Sequence, residues 1–215
     1  MDSIGTEVLF IMQPFVGMDM LSKTENSLNL ETLEIRQTQP PDGEGETRYN
    51  VFTAKKQSDN IVMDQLDNEA IYLELPEEDL KRLISFTKKL MADQPELKTD
   101  LEKAKFIESY LRDSGEFSYT LNMSIQDPKI DPVEDFLFNR KSGHCEYYAS
   151  ALSLMLRAID IPTRVISGFK GGEEGYISNQ FEVQQRYAHS WVEAFIDDRW
   201  QTLDATPSLQ FFFFF

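Results

Sequence analysis

The segment SGHCEYYASALSLMLRA, residues 142–158, carries the most informative pattern of the chain. Its apolar residues lie on most sides, which predicts a buried helix over about residues 143–159, ended by Pro162. Its first turn holds Cys145, the only cysteine. If Ser142 caps the helix, unpaired amides and the helix dipole favour a thiolate at that position. Cys145 is therefore either an inert packing residue or an activated nucleophile.

A strand pair further along the chain offers a base for this nucleophile. HSWVEAFI, residues 189–196, alternates as a strand does, and RWQTLD follows after a turn at residues 197–198. A two-residue loop sets a register in which Trp191 faces Asp204. His189 is then the diagonal neighbour of Asp204, about 7–8 Å away and on the same face. Asp204 would hold one imidazole nitrogen and leave the other free to act as a base.

A thiolate, an imidazole and a carboxylate together form the constellation of covalent acyl transfer. The Cys145 amide, unpaired within its helix, is available to bind an oxyanion. His144 is a rival base, but neighbouring side chains on a helix diverge, so we expect it to pack or to support the site. Glu146 and Glu193 are expected to form hydrogen bonds or salt bridges near the site. Trp191 is expected to pack beside it.

Composition excludes several classes of function. The chain has 215 residues, 41% hydrophobic and 27% charged, as a folded protein does. Its net charge of −16 repels phosphate, so nucleic acid and anionic lipid are not expected partners. Two histidines and one cysteine do not suffice for a structural zinc site, and no calcium-binding loop motif is present. We expect neither a metal nor a cofactor.

The order of predicted elements indicates an α+β fold. Residues 1–75 are predicted to form a β-rich segment, in which short strands are broken by the polar runs QPPDGEGE and KKQSDN. The predicted strands there are EVLFIM, NLETLEI, RYNVFT and AIYLEL. A second region, residues 76–210, has helices first and then a run of antiparallel strands. The tail at residues 211–215 is assigned no function.

Helix signals in the second region are local and specific. Pro76 is predicted to be the first residue of a helix over LPEEDLKRLISFTKKLM. Thr99 and Glu102 form a capping box for the next helix, which ends before Gly115. Asp131 caps a short helix that begins with proline. The strands predicted after the cysteine helix are TRVISGF, FEVQQRY, HSWVEAFI and RWQTLD, and the strand before it is FSYTL.

The motifs Gly-His-Cys-Glu, Ala-His-x-Trp-Val-Glu and Trp-x-x-x-Asp-x-Thr-Pro are similar to those of a known family. Residues 97–207 closely resemble bacterial transglutaminase-like domains of the papain-like superfamily. The resemblance implies a papain-like core in which the cysteine helix packs on an antiparallel sheet carrying the histidine and the aspartate. It implies that Cys145 is the nucleophile, His189 the base and Asp204 the orienting carboxylate. Asp160 stands where the family usually has glycine, a departure at a helix end.

The resemblance also implies an activity and a location. The expected reaction is acyl transfer through a thioester, with a protein or peptide glutamine as donor and an amine as acceptor. A cysteine peptidase or amidase using the same three residues, or a non-catalytic binding domain, remains an alternative. Similar domains belong to membrane-anchored bacterial proteins and lie outside the cytoplasm. The sequence shows no signal peptide and no apolar run near 20 residues, so we expect membrane contact only through segments absent from this chain.

Overall fold

The computed structural model describes side chains over residues 69–122, 129–171, 184 and 186–207. It describes only the backbone at residue 185 and in strands at residues 8–9, 15–20, 26–29, 34–37, 49–53, 173–174 and 181–182. The chain divides into two compact units, residues 1–64 and 65–215. The predicted breaks QPPDGEGE and KKQSDN and the tail at residues 211–215 lie outside the described residues.

The first unit contains antiparallel strands. One sheet has the order β1-β4-β3, and a second pair joins β2 to β5. The bounds are β1 Val8–Leu9, β2 Phe15–Met20, β3 Asn26–Asn29, β4 Glu34–Gln37 and β5 Tyr49–Thr53. β1 lies within EVLFIM and β5 within RYNVFT, as predicted. The prediction of a single strand over NLETLEI is wrong, because its first residue ends β3 and its last two residues begin β4, and these two strands pair antiparallel. Strand β2 was not predicted, because its sequence FVGMDM contains glycine and aspartate, both poor strand formers.

The predicted strand AIYLEL is wrong, because the structure has a short helix there. Helix α1 spans Glu69–Tyr72. Ile71 is 53% exposed, so the apolar run does not bury a strand face. Tyr72 instead packs edge-on against the Trp200 ring, with 5.0 Å between ring centroids. The periodicity of a short apolar run does not distinguish a helix from a strand. Here the packing of Tyr72 against Trp200 favours the helix.

Helix α2 spans Lys81–Ala92, so the prediction that it begins at Pro76 is wrong. Residues 76–80 form a turn in which the Leu80 amide bonds to the Pro76 carbonyl. The helix begins later because its first turn is stabilised by a buried carboxylate from elsewhere in the chain, which accepts a hydrogen bond from one of its backbone amides. Glu134 Oε1 accepts a hydrogen bond of 2.8 Å from the Leu83 amide. That acceptor satisfies one of the unpaired amides of a helix start, and no local pattern reveals it.

Helix α3, Asp100–Asp113, has the predicted capping box. The Thr99 hydroxyl accepts from the Glu102 amide at 3.2 Å, and Glu102 Oε2 accepts from the Thr99 amide at 2.8 Å. The helix ends before Gly115, which adopts a left-handed φ of 76°. Helix α4, Pro132–Asp135, has Asp131 as its predicted cap and continues as a π-helical turn over Phe136–Arg140.

The second unit is built around an antiparallel sheet of order β12-β11-β8. Two smaller sheets are the antiparallel pair β9-β10 and the parallel pair β6-β7. The bounds are β6 Ser118–Tyr119, β7 Ser142–Gly143, β8 Thr163–Phe169, β9 Glu173–Glu174, β10 Phe181–Glu182, β11 Ala188–Ile196 and β12 Arg199–Leu203. The predicted strand FEVQQRY is confirmed only at its start, because Gln185–Tyr187 form a 3-10 turn.

Helix α5, Cys145–Arg157, is the central element of the core. It packs on β8 and β11 and is covered by α2 and α3. Its fully buried apolar residues are Tyr148, Ala151, Leu152, Met155 and Leu156. The α+β architecture is therefore confirmed, with a buried helix on an antiparallel sheet. After the helix, Asp160 adopts a left-handed φ of 63°, which glycine tolerates best and aspartate tolerates better than most residues.

Candidate active site

Cys145 is the first residue of helix α5. The predicted cap, Ser142, is wrong, because Ser142 and Gly143 form β7 and pair with Ser118–Tyr119. This pairing keeps the chain extended up to His144, which becomes the cap. His144 Nδ1 accepts a hydrogen bond of 3.4 Å from the Glu146 amide. The thiol still lies in the first turn, where the helix has unpaired amides.

The hairpin of β11 and β12 has the predicted register. Val192 pairs with Leu203 and Ile196 with Arg199. The turn residues Asp197 and Asp198 have left-handed φ values of 54° and 59°. Two such residues give the twist that a two-residue hairpin loop requires. The register brings the residue that follows β12, Asp204, to the side of His189.

His189 and Asp204 are joined by a hydrogen bond of 2.9 Å between Nε2 and Oδ2. The second carboxylate oxygen, Oδ1, accepts from the Thr206 amide at 3.1 Å. The Lys170 ammonium also binds Oδ2. Since Asp204 occupies Nε2, the imidazole nitrogen left for another partner is Nδ1.

The Cys145 thiol is that other partner of His189. Burial opposes ionisation of the thiol, but hydrogen bonds from His189 and from the Ser190 amide outweigh it and lower the pKa of Cys145. The charge of His189 and the Glu146 amide act in the same direction. These are the physical causes expected for an activated cysteine at a helix start.

The imidazole is held in its charged form. The hydrogen bond to Asp204, followed by the one to Cys145, raises the pKa of His189 to about 9. Burial works against the Asp204 carboxylate, yet hydrogen bonds from His189 and Lys170 hold the pKa of Asp204 well below its ordinary range. At neutral pH the imidazole is therefore positively charged beside the Asp204 carboxylate, and the lowered pKa of Cys145 favours its thiolate form.

Comparison with known proteins identifies the family of this arrangement. The model of the transglutaminase-like superfamily matches residues 87–205, more than half of the chain and inclusive of Cys145, His189 and Asp204. The chain belongs to the transglutaminase-like superfamily. The family resemblance that the sequence motifs carry is thereby confirmed.

Relatives and solved structures agree with this assignment. The chain is 42% identical over 91 residues to a protein-glutamine gamma-glutamyltransferase of Pseudomonas aeruginosa, covering 42% of this chain and 13% of that protein. It is 34% identical over 141 residues to the uncharacterized protein YebA of Bacillus subtilis, covering 63% of this chain and 19% of that protein. The chain thus spans less than a fifth of the length of either curated relative.

A solved structure is similar in fold to this chain. The periplasmic domain of TgpA from Pseudomonas aeruginosa, crystallised with ethylmercury, superposes with a TM-score of 0.69 at 26% identity. The match covers 93% of this chain and 67% of that one. The transglutaminase-like core predicted from the sequence is therefore the observed fold.

The predicted supporting residues fall into two groups. His144 caps α5, and Glu146 contributes its amide while its side chain is exposed. Trp191 stacks beside His189 at 6.3 Å and lies over Gly168, where an added Cβ would come within 2.9 Å of the indole. Glu193, by contrast, binds Arg164 at 2.6 Å, further along the strand from His189. Glu193 therefore stabilises the sheet.

Two residues near this site, Lys170 and Tyr119, were not predicted from the sequence. Lys170, at the end of β8, binds the same oxygen of Asp204 as His189 does. Tyr119 pairs with Gly143, two residues before Cys145, and burial and the negative charge of Cys145 raise the pKa of this tyrosine. Neither residue lies in a motif with Cys145. Both come into place through strand pairings that span long sequence distances.

Two searches of the described residues bear on metals and membranes. In that part of the chain, no group of three or more histidine, cysteine, aspartate or glutamate side chains is arranged to hold a metal ion. No helix within the described ranges is both long and apolar enough to span a bilayer.

Alkylation of Cys145 by iodoacetamide is expected to have its pH midpoint below that of a free cysteine. The reagent attacks the thiolate, so a lowered pKa moves the rate–pH curve to lower pH. His189→Ala removes a hydrogen bond and a positive charge from the thiolate, which should move the midpoint upward. His144→Asn is the matched control, since asparagine also caps helices, and its midpoint should stay at the wild-type value. Equal midpoints in wild type and His189→Ala would show that the imidazole does not activate the thiol.

Proposed function

We propose that this transglutaminase-like domain is a cysteine acyltransferase with protein-glutamine gamma-glutamyltransferase activity. The observation that carries the proposal is the continuous hydrogen-bonded chain of Cys145, His189 and Asp204 at the start of a buried helix. The name of the Pseudomonas aeruginosa relative supports the choice of reaction. Catalytic roles for the three residues, as predicted from the sequence, are part of this proposal.

Acylation in this mechanism begins from the thiolate–imidazolium pair. The Cys145 sulfur attacks the carbon of a glutamine carboxamide, and the carbonyl π electrons move onto oxygen. The Cys145 amide, at the helix start, offers a donor to that oxyanion. The imidazolium of His189 then donates its proton to the departing amide nitrogen. Ammonia leaves, and the products are a thioester and a neutral imidazole.

Deacylation reverses the proton flow. Neutral His189 accepts a proton from an incoming primary amine as the amine attacks the thioester carbon. The carbon–sulfur bond breaks, an isopeptide-type amide forms, and the thiolate–imidazolium pair is restored. Asp204 stabilises the charged imidazole in both half-reactions and fixes which nitrogen faces the sulfur. Water in place of the amine would give hydrolysis with the same residues.

The substrate and location follow as parts of the same proposal. The donor is a glutamine side chain of a protein or peptide, and the acceptor is a primary amine. The TgpA domain of related structure is periplasmic, which supports placement of this domain outside the cytoplasm. The net charge of −16 favours acceptors that carry positive charge, as amines do at neutral pH.

Incubation with a glutamine-rich protein and a labelled primary amine tests the activity. We expect label to be incorporated with release of one ammonia per amine, and incorporation to disappear after alkylation of Cys145. Conversion of glutamine to glutamate without incorporation would make the domain an amidase. Absence of both reactions, with a thiol that alkylates as predicted, would point to a non-catalytic domain.

A further inference from the structure

Helix α3 holds the backbone of Asp204 on both sides. Glu108 Oε1 accepts a hydrogen bond of 2.8 Å from the Asp204 amide. Arg112 Nη1 donates a hydrogen bond of 3.1 Å to the Asp204 carbonyl. The same Arg112 nitrogen lies 3.4 Å from Glu108 Oε1. Two side chains one helical turn apart on α3 therefore bind the backbone amide and carbonyl of one residue, Asp204.

These two hydrogen bonds from α3 are made just beyond the end of the β11–β12 pairing. The last ladder pair of the hairpin is Val192 with Leu203, so Asp204 is one residue beyond the paired part of β12. Its carboxylate oxygen Oδ2 is also bound by Lys170, whose side chain is 66% exposed. A carboxylate outside the ladder and shared with a solvent-exposed ammonium needs another support to keep facing His189. The contacts from α3 supply that support.

Burial of Glu108 is the second observation. Its side chain is 6% exposed, and it lies on the apolar face of α3 with Ala104, Ile107 and Leu111. A buried carboxylate is costly unless it is paired and hydrogen bonded. Glu108 meets that requirement through Lys105 Nζ at 2.9 Å on Oε2 and through Arg112 and the Asp204 amide on Oε1. The sequence signal is a glutamate on an otherwise apolar helix face.

We propose that Glu108 and Arg112 are positioning residues that hold the Asp204 carboxylate against His189. They touch neither substrate nor the reacting atoms. Their importance for turnover rests on the proposed function, whereas their effect on the imidazole does not. A purely structural role would alter the stability of the fold and leave the imidazole unchanged.

The state of His189 is directly measurable because the chain has only two histidines. Imidazole proton NMR against pH gives two titration curves, and the His189→Ala variant assigns them. In Glu108→Ala the Asp204 amide loses its acceptor. We expect the pKa of His189 to fall from about 9 toward 6.5, by about one unit or more. The other charged groups facing His189, which are Cys145, Asp204 and Lys170, are kept.

Three further variants separate position from charge. Glu108→Gln removes the charge but keeps a carbonyl oxygen for the Asp204 amide, so it should restore most of the wild-type pKa of His189. Arg112→Ala removes a positive charge, which alone would raise that pKa, so a fall reports lost geometry. Lys105→Met removes a partner of Glu108 that makes no contact with Asp204 in the structure, and should leave the titration of His189 unchanged.

The outcomes distinguish this inference from the proposed function. Titration curves of His189 that stay at the wild-type position in folded Glu108→Ala and Arg112→Ala would overturn the positioning role, whatever the enzyme does. If Glu108→Ala does not fold, Arg112→Ala decides, because Arg112 is partly exposed. A wild-type protein that fails to incorporate amine, yet shows the expected fall in these variants, would overturn the activity and keep the positioning role.

Discussion

Replacement of Cys145 by alanine is expected to abolish thioester formation and amine incorporation. Among the side chains around the site, Cys145 alone supplies a thiol, since it is the only cysteine of the chain. Loss of a covalent nucleophile typically costs four or more powers of ten in rate, and four powers of ten correspond to about 5.5 kcal/mol in the activation barrier. The measurement is single-turnover acylation with a glutamine-like ester or amide.

Folding controls are straightforward for this change. Cys145 is only partly buried, so alanine at the first position of α5 should leave thermal unfolding close to wild type. Cys145→Ser is the matched variant, since it keeps the shape and loses the thiolate. It should be nearly as slow as alanine, because a hydroxyl at this position has no comparable ionisation near neutral pH. Ammonia release from either variant at the wild-type rate would mean that another group attacks the substrate.

Much of this site could be predicted from the sequence because its parts are local. The register of the hairpin follows from the strand alternation and from a turn at Asp197 and Asp198, residues that tolerate left-handed backbone. Diagonal geometry then relates His189 to Asp204 without knowledge of the rest of the fold. The expectation that Cys145 lies in the first turn of a helix also comes from neighbouring residues, although the capping residue is His144 and not Ser142.

The errors arose where a distant partner outweighed a local signal. Ser142 is a good capping residue, yet pairing of its strand with Ser118–Tyr119 moves the cap to His144. Pro76 is a good first helical residue, yet α2 begins at Lys81, where Glu134 from another element serves the Leu83 amide. Such contacts join residues far apart in the chain, so no window of sequence contains them.

The contacts made by α3 to Asp204 were missed for the same reason. The capping box at Thr99 predicts where the helix begins but not which element it faces. Glu108 and Arg112 are spaced as an ordinary ion pair on a helix surface would be. Only because α3 packs beside the end of β12 do these two side chains form hydrogen bonds with the backbone of Asp204. Sequence alone therefore predicts the groups proposed to react more readily than the groups that hold them.

His189→Ala and Asp204→Ala are expected to be strongly coupled in single-turnover acylation. His189→Ala removes both the charge partner of the thiolate and the proton donor to ammonia, so we expect a loss of about three or more powers of ten. Asp204→Ala should cost less, about a hundredfold, because Asp204 acts by holding the imidazole charged and oriented. Once the imidazole is absent, the carboxylate has nothing left to orient.

The double variant should therefore be about as slow as His189→Ala alone. The coupling energy then equals the whole effect of Asp204→Ala, about 2.7 kcal/mol for a hundredfold loss. Glu193 offers a matched control, since it is a carboxylate on the same face of β11 that binds Arg164 instead of His189. Glu193→Ala should combine with His189→Ala as an independent change. Losses that multiply for Asp204 as they do for Glu193 would mean that Asp204 does not act through the imidazole, because an orienting group has no effect without the group it orients.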